Sequence, residues 1–384
     1  MFYFNIYSII GLAGMIAVLL LTRHWKDNKR VLLLLFNFGF LLVFNYKLFL
    51  FYAAYTAINY AGYRFLCRVT YARLAWFIGF ILVNIGIVSL TRFLEYGWFN
   101  HPAADLVVAI GLIYNVLKVI DAYYFAYFFR KDGQAAALDY ANFILFIPTF
   151  TSGPILRFRD FIADSKKPYS VDSAQIEANV KRIILGLFKA VVLSFYMRTA
   201  FDYIAGQELM VYHSIFLLFW FYLLIYVDFS GYSDIAIGFG RLLGYQIPEN
   251  FKKPFLSPSM TQFWRNWHAS LGDWFREHIF MFFSRKAISK TTGASLSLLI
   301  MVLIGLWHGY TWPYLLYGLY HGCLIALENL FGFSLVNKKK VSKPYYYFRI
   351  IWTQTLVAFS VIVYSGNIEI AMKIYRGLLS FPSF

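Results

Sequence analysis

The chain has 384 residues, of which 60% are hydrophobic and only 14% charged. Soluble domains average about half apolar and a quarter charged, so a water-soluble fold is excluded and the surplus must face lipid. The charges are lopsided, 35 Lys and Arg against 19 Asp and Glu for a net +16. In a lipid-embedded chain this points to cytosolic loops held against anionic head groups rather than to nucleic acid.

In chain order, the run from Tyr3 to Leu21 is long enough to span and is followed by Arg23, Lys26, Lys29 and Arg30. That charge order is the reverse of a cleavable signal peptide, so the segment is retained as a helix with the N-terminus outside. Val31 to Tyr63 is too long for one helix and is expected to turn near Asn45, Tyr46 and Lys47 before Arg64, Arg68 and Arg73. Leu74 to Thr91 leads out to a nearly neutral loop, and Leu106 to Phe129 returns to Arg130 and Lys131.

The pattern then breaks. Phe143 to Phe150 is apolar but short and is interrupted by Pro148, Gly153 and Pro154. Basic loops on both sides predict a segment that enters and leaves by one face, tolerated only inside protein or beside a cavity. Ile183 to Phe201 and Ser214 to Val227 are predicted to span, with Gly231 to Gly244 as a separate short piece. A stretch rich in Trp, Arg and Lys runs from Pro248 to Lys290, and Ala294 to Leu306, Tyr314 to Phe333 and Tyr345 to Tyr364 complete the membrane part. Ile368 to Phe384 is expected to end outside. The prediction is an all-α, polytopic integral membrane protein of about 10–11 transmembrane helices, with re-entrant and interfacial amphipathic helices added. Cys67 and Cys323 stand in unrelated contexts and read as small apolar residues.

An ionisable residue inside a membrane run is a functional hypothesis by default. His308, in Gly305-Leu306-Trp307-His308-Gly309, has flanking glycines that would let a substrate approach. Apolar surroundings would keep it neutral, fit to take a proton from an attacking hydroxyl; a packing histidine bonded to a carbonyl is the equal alternative. His268 lies in Trp264-Arg265-Asn266-Trp267-His268. As one amphipathic helix, this segment would put His268 on a face with Trp264, Leu271 and Phe275; a buried histidine that only orients packing is the equal alternative. His321 reads as structural and His278 as interfacial, while Asp228 and Asp234 either line a polar cavity or end helices. No HExxH pair, Cys cluster, phosphate loop or Gly-x-Ser-x-Gly elbow is present.

Five segments together resemble the membrane-bound O-acyltransferase (MBOAT) family. They are Pro148 to Phe158, Asp228 to Ser233, Pro248 to Phe255, Trp264 to Ser270 and Gly305 to Gly309. The likeness is nearest to the DltB-type branch, which acts in teichoic acid D-alanylation, although Ser233 to Gly238 looks as much like the alginate O-acetyltransferase branch. The resemblance implies residues 1–104 as N-terminal transmembrane helices, 105–333 as the catalytic core and 334–384 as a C-terminal cytosolic loop and helix. It also implies catalytic roles for His308 and His268, with Asp228, Asn250, Trp264, Arg265, Trp267 and Trp307 along the substrate path. No bound cofactor is implied; the donor would be a phosphopantetheine thioester on a small acidic carrier (DltC-like), with DltD-like and DltX-like membrane partners. The setting would be a bacterial cytoplasmic membrane with anionic lipid at the basic loops. A polysaccharide O-acetyltransferase, a transporter and a non-catalytic scaffold are the alternatives.

Overall fold

The computed structural model describes residues 6–25, 27–95, 111–129, 134–283 and 289–381. Among them the regular structure is helical, with no strand. Helix α1 is Ile6–Leu21, α2 Asn28–Phe44, α3 Tyr46–Arg68 and α4 Arg73–Glu95. The boundary between α2 and α3 falls where the polar interruption predicts it. Asn45 is extended, and its side chain accepts from the amides of Lys47 and Leu48, which caps the second helix and stops the first. Next come α5 (Leu112–Phe128), α6 (Ala137–Ile144) and α7 (Phe158–Ser165). The loop carrying Arg92 to Asp105, the beginning of the Leu106–Phe129 run, and Arg130 and Lys131 lie largely or wholly outside the described residues.

Two long helices follow, α8 (Ser173–Gly206) and α9 (Val211–Leu242). At 1.5 Å per residue both exceed the roughly 30 Å of a bilayer's hydrocarbon core. The remaining helices are α10 (Met260–Asn266), α11 (Ala269–Phe283), α12 (Lys290–His308), α13 (Trp312–Phe331), α14 (Lys343–Val361) and α15 (Ile368–Gly377). Five described helices are long and apolar enough to cross a membrane: Arg73–Leu94, Ser173–Gly206, Val211–Leu242, Lys290–His308 and Lys343–Ser365. In the first of these only 17% of the apolar window is buried within the protein, as expected of a surface turned to lipid. The chain is a multi-pass helical membrane protein.

The separate pieces expected at Ser214–Val227 and Gly231–Gly244 are instead one continuous helix, α9. The polar residues that look like a break have partners within the helical frame. Asp228 bonds to Ser194, and a side chain at Gly231 would sit 2.9 Å from Ala190 Cβ and from Gly186 O. That glycine permits close helix contact rather than ending a helix.

Contacts divide the chain into two compact units, Met1–Ile184 with Ser233–Pro248, and Leu185–Tyr232 with Glu249–Phe384. In the first unit α3, α4 and α5 are joined by a buried polar network. Tyr55 Oη donates to Asn84 Oδ1 (2.7 Å), Asn84 Nδ2 to Asn59 Oδ1 (2.9 Å) and Tyr123 Oη to Asn59 Oδ1 (2.6 Å). Arg30 forks onto Asp139 at 2.7 and 2.6 Å, tying α2 to α6.

The predicted break around Pro148 and Gly153 lies in this unit. Helix α6 stops at Ile144, a single 3-10 turn spans Ile147–Thr149, and helix resumes at Phe158. Side chains of α5 satisfy the freed backbone. Lys118 Nζ donates to Ile144 O (3.3 Å), Asn115 Nδ2 to Phe150 O (3.2 Å), and Asp121 accepts from Phe158 N. Residues 143 to 150 are buried throughout, as non-helical backbone in a membrane protein requires.

In the second unit α12 and α13 form a tight antiparallel hairpin. A side chain at Gly305 would collide with Tyr314 O, and one at Gly318 would lie 2.6 Å from Met301 O. Glu328 of α13 caps α10, accepting from Met260 N (2.8 Å) and Thr261 N (2.9 Å).

Candidate functional site

The segment expected as one amphipathic helix is broken at His268. Helix α10 ends at Asn266, Trp267 is extended, and α11 begins at Ala269. His268 adopts φ 44°, the left-handed region that non-glycine residues seldom occupy. The segment from Asn250 to Lys252 meets the backbone at the break. Asn250 O accepts from Ala269 N and Lys252 N donates to Asn266 O, both at 2.9 Å, while Asn250 Oδ1 accepts from Ser270 Oγ at 2.5 Å. The carbonyl of His268 then accepts from Leu271 N and Gly272 N, starting α11.

The consequence is a buried imidazole, 4% exposed, lying against Phe229 at 4.6 Å between ring centroids. Burial pushes its pKa well below the ordinary value, and the neighbouring His308 ring acts in the same direction, so His268 is neutral near pH 7.

His308 is the last residue of α12 and is half-buried. Its ring stands edge-on to His268 at 6.4 Å and to Trp307 at 4.7 Å. Tyr364 Oη lies 3.1 Å from His308 Nδ1. The two histidines named from the sequence therefore share one site, 40 residues apart in the chain. Gly305 serves differently from the expectation: its missing side chain is occupied by the Tyr314 carbonyl, so it seats the hairpin rather than admitting a substrate.

The other candidates divide by what they touch. Asn250 is fully buried in the hydrogen bonds that set the break. Trp267 is buried and stacked on Phe263 at 5.4 Å, and Trp307 is buried beside both histidines. Asp228 is half-buried on α9 next to Ser194, whereas Asp234 pairs with Arg182 at 2.8 Å in the first unit. Trp264 and Arg265 line a cavity of about 360 Å³ with Thr261, Arg276, Lys290 and Ile304. Three of its lining residues, Arg265, Arg276 and Lys290, are basic, and Arg276 is paired with Asp273.

His321, read as structural, is fully buried with Nε2 2.9 Å from Ser360 Oγ. His278, expected at the interface, is covered by its own helix. It is buried, its Nδ1 lies 2.8 Å from Trp274 O, and its ring stacks on that indole at 4.0 Å. Tyr364, Tyr314 and Phe229 surround the histidines and were not singled out by sequence. They sit in ordinary aromatic spans, and only a tyrosine at the end of a run, before Ser365-Gly366, hints at Tyr364.

The imidazole at the end of a spanning helix and the imidazole at the α10–α11 break thus stand together in a helical membrane chain. The family profile of the membrane-bound O-acyltransferases matches residues 28–366, and the chain belongs to that family. It is 30% identical over 324 residues to the probable alginate O-acetylase AlgI of Pseudomonas syringae pv. tomato, covering 82% of this chain and 59% of that protein. It is 31% identical over 281 residues to the teichoic acid D-alanyltransferase of Bacillus subtilis, covering 66% of this chain and 68% of that protein. With the enzyme of the same name from Streptococcus thermophilus it shares 34% over 220 residues, 53% of this chain and 52% of that one. The chain thus spans between about half and two thirds of the length of these relatives. Membership in a family of acyltransferases favours an enzyme over the transporter and scaffold alternatives.

Proposed function

We propose that this protein transfers an acyl group from a thioester donor to a hydroxyl acceptor, with His308 as general base and His268 as its neutral companion. The observation that carries the reading is the half-buried imidazole of His308 beside buried His268, in a chain of an O-acyltransferase family. The imidazole takes the proton of the acceptor hydroxyl as that oxygen attacks the thioester carbonyl. The tetrahedral intermediate expels the thiolate, which takes the proton back from the imidazolium. An ester and a thiol result, and the base is restored.

The donor in this reading is a phosphopantetheine thioester on a small acidic carrier protein. Arg265 and Lys290 in the lining of the cavity support it, since such charge suits both a phosphate and an acidic partner. D-alanine destined for teichoic acid is the preferred group, supported by the names of two relatives. Acetate is the second reading, supported by the wider coverage of the alginate O-acetylase, 82% of this chain. DltD-like and DltX-like partners, anionic lipid at cytosolic basic loops and a bacterial cytoplasmic membrane complete the proposal.

The test is reconstitution in liposomes with carrier protein loaded with labelled D-alanine or labelled acetate. The wild-type protein is expected to pass D-alanyl label to a hydroxyl acceptor, and His308→Ala to lose on the order of 10³-fold in rate. Undiminished transfer by that variant overturns the role of His308. Transfer from the acetyl carrier alone replaces D-alanine by acetate.

A further inference from the structure

The end of α14 carries two polar groups four residues apart, each directed at a histidine of the α12–α13 hairpin. Ser360 Oγ lies 2.9 Å from His321 Nε2, and Tyr364 Oη lies 3.1 Å from His308 Nδ1. Tyr364 sits in the 3-10 turn Ile362–Ser365, which continues α14 and ends at Gly366 with φ 72°. Its ring is held from several sides: edge-on to His308 at 4.9 Å, and 5.6 Å from both Tyr314 and Tyr317. A phenol fixed by three aromatic neighbours offers its oxygen in one place, at one ring nitrogen.

We infer that Tyr364 is a positioning residue of the transfer site: its hydroxyl oxygen accepts the Nδ1–H of His308 and thereby leaves Nε2 as the unprotonated nitrogen. A neutral imidazole carries one proton on either nitrogen, and the hydrogen bond at one nitrogen decides the state of the other. In water the Nε2–H form is the more populated, which would leave no base at the outer nitrogen. The phenol as acceptor at Nδ1 reverses that preference, whereas as donor to a bare Nδ1 it would keep Nε2–H, a difference that 15N spectra distinguish. The same contact then holds the imidazolium in place after Nε2 has taken a proton, because Nδ1–H continues to donate to Tyr364. His321 receives a parallel support from Ser360, so one helix end orients a histidine on each arm of the hairpin.

The inference rests on reading His308 as the base, and its test gives a result independent of that reading. Magic-angle-spinning 15N spectra of histidine-labelled protein in lipid, with His308 assigned by difference from His308→Gln, report which nitrogen is protonated. The wild type is expected to show His308 protonated at Nδ1, and Tyr364→Phe, which keeps the ring, to shift it to Nε2–H. In the transfer assay Tyr364→Phe is expected to lower kcat about 10–100-fold, with KM changed by less than roughly twofold. His308 protonated at Nε2 in the wild type overturns the inference, even if His308→Ala is inactive and the proposed function stands. An unchanged tautomer and unchanged kcat in Tyr364→Phe overturn it as well. If that variant does not fold, the wild-type spectrum alone decides.

Discussion

Two interruptions of helix, one in each unit, are held open by opposite means. Around residues 145 to 157 the stranded backbone groups are met by buried side chains of α5, namely Lys118, Asn115 and Asp121. At Trp267 and His268 the backbone is met mainly by other backbone, through Asn250 O and Lys252 N. The first arrangement commits its ionisable side chains to the frame. The second leaves the imidazole at the break out of the backbone bonding that sustains the break, and it lies among Phe229, Trp307 and His308. Repair by main chain rather than by side chain leaves the side chain at the break outside the frame.

The sharpest way to break this comparison is at Asp121. Asp121→Ala leaves the amide of Phe158 buried without its charged acceptor and is expected to cost about 2–3 kcal/mol. A drop in the melting temperature of detergent-solubilised protein measures it; an unchanged value means other groups carry that interruption. A smaller effect is expected at His268, where the backbone conformation and the imidazole can be separated. His268→Val forces a β-branched residue to φ 44° and should destabilise by about 1–2 kcal/mol. His268→Gly relieves the strain, so it should melt near the wild type while losing transfer activity. Equal melting of the two variants would show that the left-handed conformation is not what holds the break.

The smallest expected effect sharpens the view that the first unit uses its charges as frame. Lys29 Nζ donates to Asp164 O at 2.5 Å and lies 4.8 Å from the centre of the Tyr245 ring. Burial, opposed in part by Asp164, pushes its pKa down to about 8 from the ordinary 10.5. Between those values the unfolded chain binds the proton that the folded chain has released, so stability rises with pH across that window. Melting curves from pH 8 to 10 should show a steeper rise for wild type than for Lys29→Met; identical slopes would remove Lys29 as the cause.

Much of the fold was legible because lipid enforces simple rules. Polar interruptions such as Asn45 end helices, and proline with glycine at 148 to 154 predicts broken backbone. Legibility failed where the deciding partner is distant in sequence. Asp228 and Gly231 look like a helix break until Ser194 and Ala190 stand beside them. The break at His268 is dictated by Asn250, 18 residues earlier, which no helical periodicity contains. The stacking of the His278 ring on Trp274, one turn away, was likewise not read from the sequence. Of the site itself, both histidines were found by their unusual setting, while Tyr364 was hidden among 31 tyrosines in a chain that is 22% aromatic.

The glycine seam between α12 and α13 carries a mechanical consequence. Backbone rests on backbone at Gly305 and Gly318, with no side chains between to repack. A side chain at Gly305 could be accommodated only by moving the Tyr314 carbonyl away, which would part the two arms one turn from His308 at the end of α12.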